Sequence, residues 1–123
     1  MALVIGKKNT RKIAVIAEEA GDLLKVTKHS FEVEYKVLSK AETDGIRAIS
    51  SDDEDMMVNA IFDAVVNVTG VNDESGQSLP YNAQLREALI EAAWVRYPIC
   101  SAFWNVQNGV TQPEMYKRMK QKN

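Results

Sequence analysis

Ser30-Phe31-Glu32-Val33-Glu34-Tyr35-Lys36-Val37-Leu38 alternates polar and apolar side chains without a break from Ser30 to Val37. Successive side chains of a strand point to opposite faces. Phe31, Val33, Tyr35 and Val37 therefore share one face, and Ser30, Glu32, Glu34 and Lys36 share the other. One buried and one wet face is the signature of an antiparallel sheet with a solvent side, not of a parallel sheet covered on both faces. Upstream, Lys12 to Ala17 is a β-branched run that predicts a partner strand, with Ile13 and Val15 on one face and Ala14 and Ile16 on the other. Gly21-Asp22 interrupts it, and Leu23 to Val26 is too short to decide between a strand and a helical turn. His29 is expected in a polar turn just ahead of the main strand.

Downstream, the pattern turns helical. Ser39 to Ser50 mixes Ile46 and Ile49 with polar residues and Gly45, and gives only weak support for a short helix. Ser51 offers a capping box with Glu54, and Asp52, Asp53 and Glu54 place negative charge where a helix dipole favours it. Met57, Ile61, Ala64, Val65 and Val68 then follow at spacings of three and four, which predicts a helix running to a stop at Gly70. Asn72, Asp73, Ser75 and Gly76 form a turn, Leu79-Pro80-Tyr81 is extended because Pro80 disfavours helical geometry at Leu79, and Asn82 caps a helix that begins at Ala83. Leu85, Leu89, Ala92 and Ala93 supply its apolar face, with Arg86, Glu87 and Glu91 outward. Pro98 predicts an end or kink near Tyr97, after which Ile99 to Gln107 restarts a helix that Asn108-Gly109 stops. Pro113 opens a last short helix carrying Met115 and Met119.

The chain has 123 residues and a mass of 13.8 kDa, the size of one domain with one modest core. The expected class is α+β: a small antiparallel sheet or hairpin within residues 1–38, packed with a mainly helical part over residues 51–108, and a basic tail helix over 110–123. Apolar residues at 46% and charged residues at 26% predict a folded chain. A formal net charge of −2 gives no general attraction toward nucleic acid or an anionic membrane. No apolar run approaches the roughly 20 residues that span a bilayer, and Met1 to Lys8 is too short for a secretory signal, so the expected location is the compartment of synthesis. A single cysteine, Cys100, excludes an internal disulfide and suits a reducing compartment.

Catalytic chemistry is poorly served. His29 is the only histidine, without the partners a nucleophilic triad requires. One histidine and one cysteine at distant positions lack zinc-ligand spacing, and the four consecutive acids Asp52 to Asp55 lack the alternating ligands and glycine of a calcium loop. Gly70 and Gly76 are not followed by the Lys-Ser/Thr of a phosphate loop. Cys100, between Ile99 and Phe103, fits a small buried hydrophobe. The expectation is a non-enzyme with no cofactor and no metal.

Protein-binding candidates come from surplus apolar side chains. Trp94, Tyr97, Phe103 and Trp104 lie within eleven residues, too many for one core direction. On a helix Phe103 and Trp104 differ by about 100 degrees, so Trp104 sits on the flank if Phe103 points inward. Use of both tryptophans in the core is the equal alternative. Met56 falls off the Met57–Ile61 line and is the better candidate for exposure, and Met115 and Met119 line the last helix. The candidate surface is Met56, Trp94, Tyr97, Trp104, Met115 and Met119.

Taken in order, Phe31-Glu32-Val33-Glu34-Tyr35-Lys36-Val37, the acidic stretch, a hydrophobic helix expected to end near Gly70-Val71, and Gly70-Val71-Asn72-Asp73-Glu74-Ser75-Gly76-Gln77-Ser78-Leu79-Pro80-Tyr81-Asn82 followed by Leu85 and Leu89 resemble the tail assembly chaperones of long-tailed bacteriophages. The resemblance covers about Ser30 to Asn108. Asn67-Val68-Thr69 stands where that family often carries a tryptophan. The resemblance implies a late, non-virion assembly factor in the host cytoplasm. Such a factor binds the tape measure protein, keeps it soluble, helps tail tube protein polymerise around it, and self-associates as a homo-oligomer. It also implies a longer product made by ribosomal frameshifting near Gln121-Lys122-Asn123. A small virion structural protein, such as a head-tail connector or tail completion subunit, is the alternative from another class.

Overall fold

The computed structural model describes residues 9–110, and the expected tail helix with Met115 and Met119 lies outside them. The fold is α+β. A three-stranded antiparallel sheet of β1 (Thr10–Ala20), β2 (Val26–Lys36) and β3 (Val65–Thr69), in the order β1-β2-β3, packs against α1 (Lys40–Arg47), α2 (Glu54–Phe62), α3 (Ala83–Glu91) and α4 (Ala93–Gln107). The alternation around Phe31, Val33 and Tyr35 has the consequence expected of it: all three are buried, as are Val15 opposite Phe31, Ile13 opposite Val33, and Ala17 further along β1, whereas Val37, expected on the same face, lies past the end of β2 and is exposed. Both strands are longer than the apolar runs that announced them. β1 and β2 pair continuously from Thr10↔Lys36 to Ala20↔Val26, and Asp22–Leu24 closes them as a 3-10 turn. His29 is therefore a strand residue opposite Ala17, not a turn residue.

Tyr35 sits at the middle of the core. It is fully buried, and its hydroxyl donates to the Ile99 carbonyl at 2.7 Å, tying the central strand to α4. Burial pushes its phenol well above the ordinary value. At the end of β2, Gln107 makes a second tie to α4. Its side-chain carbonyl accepts from the Leu38 amide and its amide donates to the Lys36 carbonyl, both at 2.8 Å. The side chain thus stands in for a backbone partner where the sheet runs out.

Four local expectations change. The helix expected to run to Gly70 stops at Phe62, and Val65–Thr69 is an edge strand on β2. Its pairing runs Val33↔Val68 and Glu34↔Asn67 and then slips to Tyr35↔Val65, which leaves Val66 as the extra residue of a β-bulge. Gly70, at φ 91, therefore follows a strand; a Cβ there would meet the Phe31 Cα and Cβ at 3.4 Å. The expected capping box at Ser51 is absent: Asp53 caps α2, accepting from the Met56 amide at 3.1 Å. A capping box does occur at Ser39 and Glu42, where the weakly supported α1 begins. There the Ser39 backbone amide and then its hydroxyl hold the Glu42 carboxyl below its usual range. Finally, the helix pair breaks at Ala92, whose φ of −90 and ψ of 103 are extended, and α4 continues through Pro98. Arg96 supports that break by donating to the Ile90 carbonyl at 2.6 Å, which satisfies an orphan acceptor at the end of α3.

The segment between β3 and α3 behaves as its punctuation indicates. Asp73 accepts from the Ser75 hydroxyl at 2.6 Å and from the Ser75 and Gln77 amides at 2.9 and 3.0 Å. Asn72 and Ser78 bridge behind it, and Asn82 accepts from the Leu85 amide at 2.9 Å to cap α3. The Ser75 hydroxyl and then the Gln77 amide lower the Asp73 carboxyl, so this turn's contribution is present at neutral pH and is lost as pH falls through the folded value.

Tyr35→Phe should lower stability by about 1 kcal/mol in urea unfolding, the size of one hydrogen bond lost without a cavity. Gly70→Ala should cost about 1–2 kcal/mol in the same measurement, because alanine must adopt a left-handed backbone tight against Phe31.

Candidate functional site

Among the described residues, exposed large apolar side chains mark three places, apart from Val37 and Val66 near the ends of the sheet strands. The first is the α2–α4 face. Met56 and Tyr97 are each 57% exposed, and the Tyr97 hydroxyl donates to the Glu54 carboxylate at 3.2 Å, pinning α4 to the first turn of α2. The Arg96 guanidinium lies 5.0 Å from the Tyr97 ring centroid, so the ring carries a cation on one side and solvent on the other.

The second is a cleft of about 460 Å³ between the β1–β2 hairpin, the residues after β3, and the α3–α4 junction. Phe31, Val71, Leu89, Trp94 and Val95 supply apolar lining, and Glu19, Lys28 and His29 supply the polar side. The Trp94 ring stands 5.5 Å from the His29 ring at 48°, and His29 Nε2 lies 3.1 Å from Glu19 Oε1. Strand pairing places His29 and Glu19 on neighbouring strands, and the break at Ala92 turns the start of α4 so that Trp94 closes the cleft.

The third is the hairpin tip. Leu23 and Leu24 are 91% and 86% exposed, and Val26 is 55% exposed. Leu23 and Leu24 have φ of 58 and 59. Left-handed backbone costs a non-glycine residue roughly 1–2 kcal/mol, and each exposed leucine forgoes about 1.5–3 kcal/mol available from burial.

The candidates drawn from the sequence are thus distributed, not gathered. Met56 and Tyr97 lie on the helical face and Trp94 closes the cleft. Trp104, further along α4, is half-buried with its ring 4.9 Å from Phe103 and the Arg47 guanidinium 4.9 Å over it. Sequence reasoning missed the hairpin tip and the cleft. The available signal for the tip was a Leu-Leu pair directly after Gly21-Asp22, where a turn ordinarily carries polar residues.

Among the described residues no group of three or more His, Cys, Asp or Glu side chains is placed to hold a metal ion. No helix among them is long and apolar enough to cross a membrane. Cys100 is half-buried, and burial pushes its thiol up to about 11. It should therefore react with iodoacetamide much more slowly in the native protein than in urea near neutral pH. The native rate should still be climbing as pH passes the ordinary thiol value toward about 11.

No protein-family model, curated protein or solved structure matches the chain.

Proposed function

We propose that this chain is a non-catalytic assembly factor, a tail assembly chaperone of a long-tailed bacteriophage. It binds the tape measure protein, keeps it soluble and promotes tail tube polymerisation around it. The observation that carries the proposal is the α2–α4 face, where Met56 and Tyr97 stand exposed on helices locked together through Glu54. A long helical client with uncovered apolar stripes aggregates unless a partner covers them, and a flexible thioether beside a rigid aromatic ring suits stripes of varied sequence. The ordered resemblance from Phe31 to Leu89 supports the same reading in its sequence motifs, although the element before Gly70-Val71 is the strand β3 and not the helix the resemblance implies. So does the Asp73-centred turn, which fixes the join between the sheet and α3 without offering a reactive group.

Co-expression with the tape measure protein should move that protein from the insoluble to the soluble fraction. Met56→Ala combined with Tyr97→Ala should abolish the effect while leaving the circular dichroism spectrum unchanged. Unchanged insolubility with the wild-type chain would overturn the proposal. Stoichiometric copies of the chain in mass spectra of purified virions would overturn it in favour of a structural subunit.

A further inference from the structure

Beyond Ser30 the sheet loses its third strand. β3 pairs with β2 only from Glu32 to Tyr35, and Gly70, at φ 91, turns the chain away beside Phe31. β2 nevertheless continues back to Val26, paired with β1 alone. Hydrogen bonds at the two ends of that pairing fix which way the backbone groups point. The Val37 amide donates to the Asn9 carbonyl and the Gly21 amide to the Lys25 carbonyl, both at 2.7 Å, while the Lys36 amide donates to the Ala64 carbonyl, on the β3 side, at 2.8 Å. The register between these ends is unbroken, so odd-numbered residues of β2 bond to β1 and even-numbered ones face the β3 side. Val26, Lys28 and Ser30 thus direct their amides and carbonyls toward an edge with which no strand among the described residues pairs.

That edge is one wall of the cleft of about 460 Å³: His29, Ser30 and Phe31 line it from β2, and Leu89, Trp94 and Val95 supply the helical wall. A strand laid on the edge in the line of β3 runs antiparallel to β2, and its side chains alternate between the two faces of the sheet. Phe31 and His29 mark the cleft face, since Phe31 is buried in the core and the His29 ring stands 5.5 Å from that of Trp94. A guest residue opposite His29 therefore enters the cleft against Trp94, Leu89 and Val95, surroundings that select a large apolar side chain. The guest residue two positions later falls opposite Thr27, whose partner on β1 is Glu19. Glu19 lies on the same face, 3.1 Å from His29 Nε2, with half of its side chain exposed, so a basic guest side chain meets a carboxylate there.

We propose that the free edge of β2 binds an extended segment of a partner protein by strand addition, and that this segment carries an apolar residue followed two positions later by a basic one. Main-chain hydrogen bonds to Lys28 and Ser30 supply the affinity, and the Trp94 cleft with Glu19 supplies the selectivity. The site is separate from the Met56–Tyr97 face and does not depend on a client bound there.

A synthetic peptide of seven residues tests it without any tape measure protein: threonine throughout except leucine third and arginine fifth, fluorophore-labelled at its N-terminus and amidated at its C-terminus. Titrated with the full-length chain, its fluorescence anisotropy should rise to saturation by about 1 mM protein. With the leucine opposite His29, antiparallel addition turns the amide of the fourth residue toward Lys28 and that of the fifth toward solvent. N-methylation of the fourth amide should weaken binding about tenfold or more, and N-methylation of the fifth should leave it within about twofold. Glu19→Gln should weaken binding of the arginine peptide by up to about fivefold and leave a peptide with threonine at the fifth position unchanged. Absence of saturable binding to the wild-type chain would overturn the proposal. Equal sensitivity to the two methylations would overturn strand addition, and an arginine peptide indifferent to Glu19→Gln would overturn the choice of a basic residue.

Discussion

A phenol hydroxyl buried at the centre of a small core has one donor to satisfy and little choice of acceptor. In this fold the Tyr35 hydroxyl reaches the carbonyl of Ile99, the residue directly after Pro98 in α4. That bond joins the central strand of the sheet to the longest helix. The position of α4 over β1 and β2 sets where Trp94 meets the hairpin and where Tyr97 meets Glu54. The Gln107 clamp at the other end of α4 stops the helix pivoting about Tyr35. Both apolar surfaces on the helices thus inherit their geometry from one strand and one helix held at two points.

Much of this architecture was legible because it rests on local rules. Period-two alternation marked β2, Asn82 marked the start of α3, and the Asp73-to-Gly76 turn is built from residues whose side chains bond their own backbone. The illegible parts have specific causes. Val65 and Val68 are buried at a spacing of three because Val66 is bulged out between them, and that spacing imitates a helix continuing from Ile61. The β-branched run Val65-Val66-Asn67-Val68-Thr69 was the competing signal for a strand. Pro98 attracted the expected helix break, yet it lies in the second turn of α4. The actual break at Ala92 depends on Arg96 reaching back to Ile90, a tertiary bond that no local pattern announces.

The candidate surfaces were legible only in part, for a related reason. Exposure of Met56 follows from its place off an apolar line, which helical periodicity can express. The cleft is assembled from a hairpin, a post-strand segment and a helix junction far apart in the chain, so no window of sequence contains it. Trp104 illustrates the opposite case. It stands on the flank of α4, but Arg47 from α1 lies over its ring, and flank position alone does not show what another element places there.

The bulge at Val66 also acts on the outside of the molecule. β3 is an edge strand of five residues, and an edge strand is a template on which further strands can add. One extra residue interrupts the even spacing of donors and acceptors that an incoming strand would need, and increases the local twist. A protein that displays leucines, methionine and aromatic rings to its surroundings thereby keeps one side of its sheet a poor seed for indefinite β-pairing. Its apolar side chains can then serve as contacts without that edge becoming the start of an aggregate.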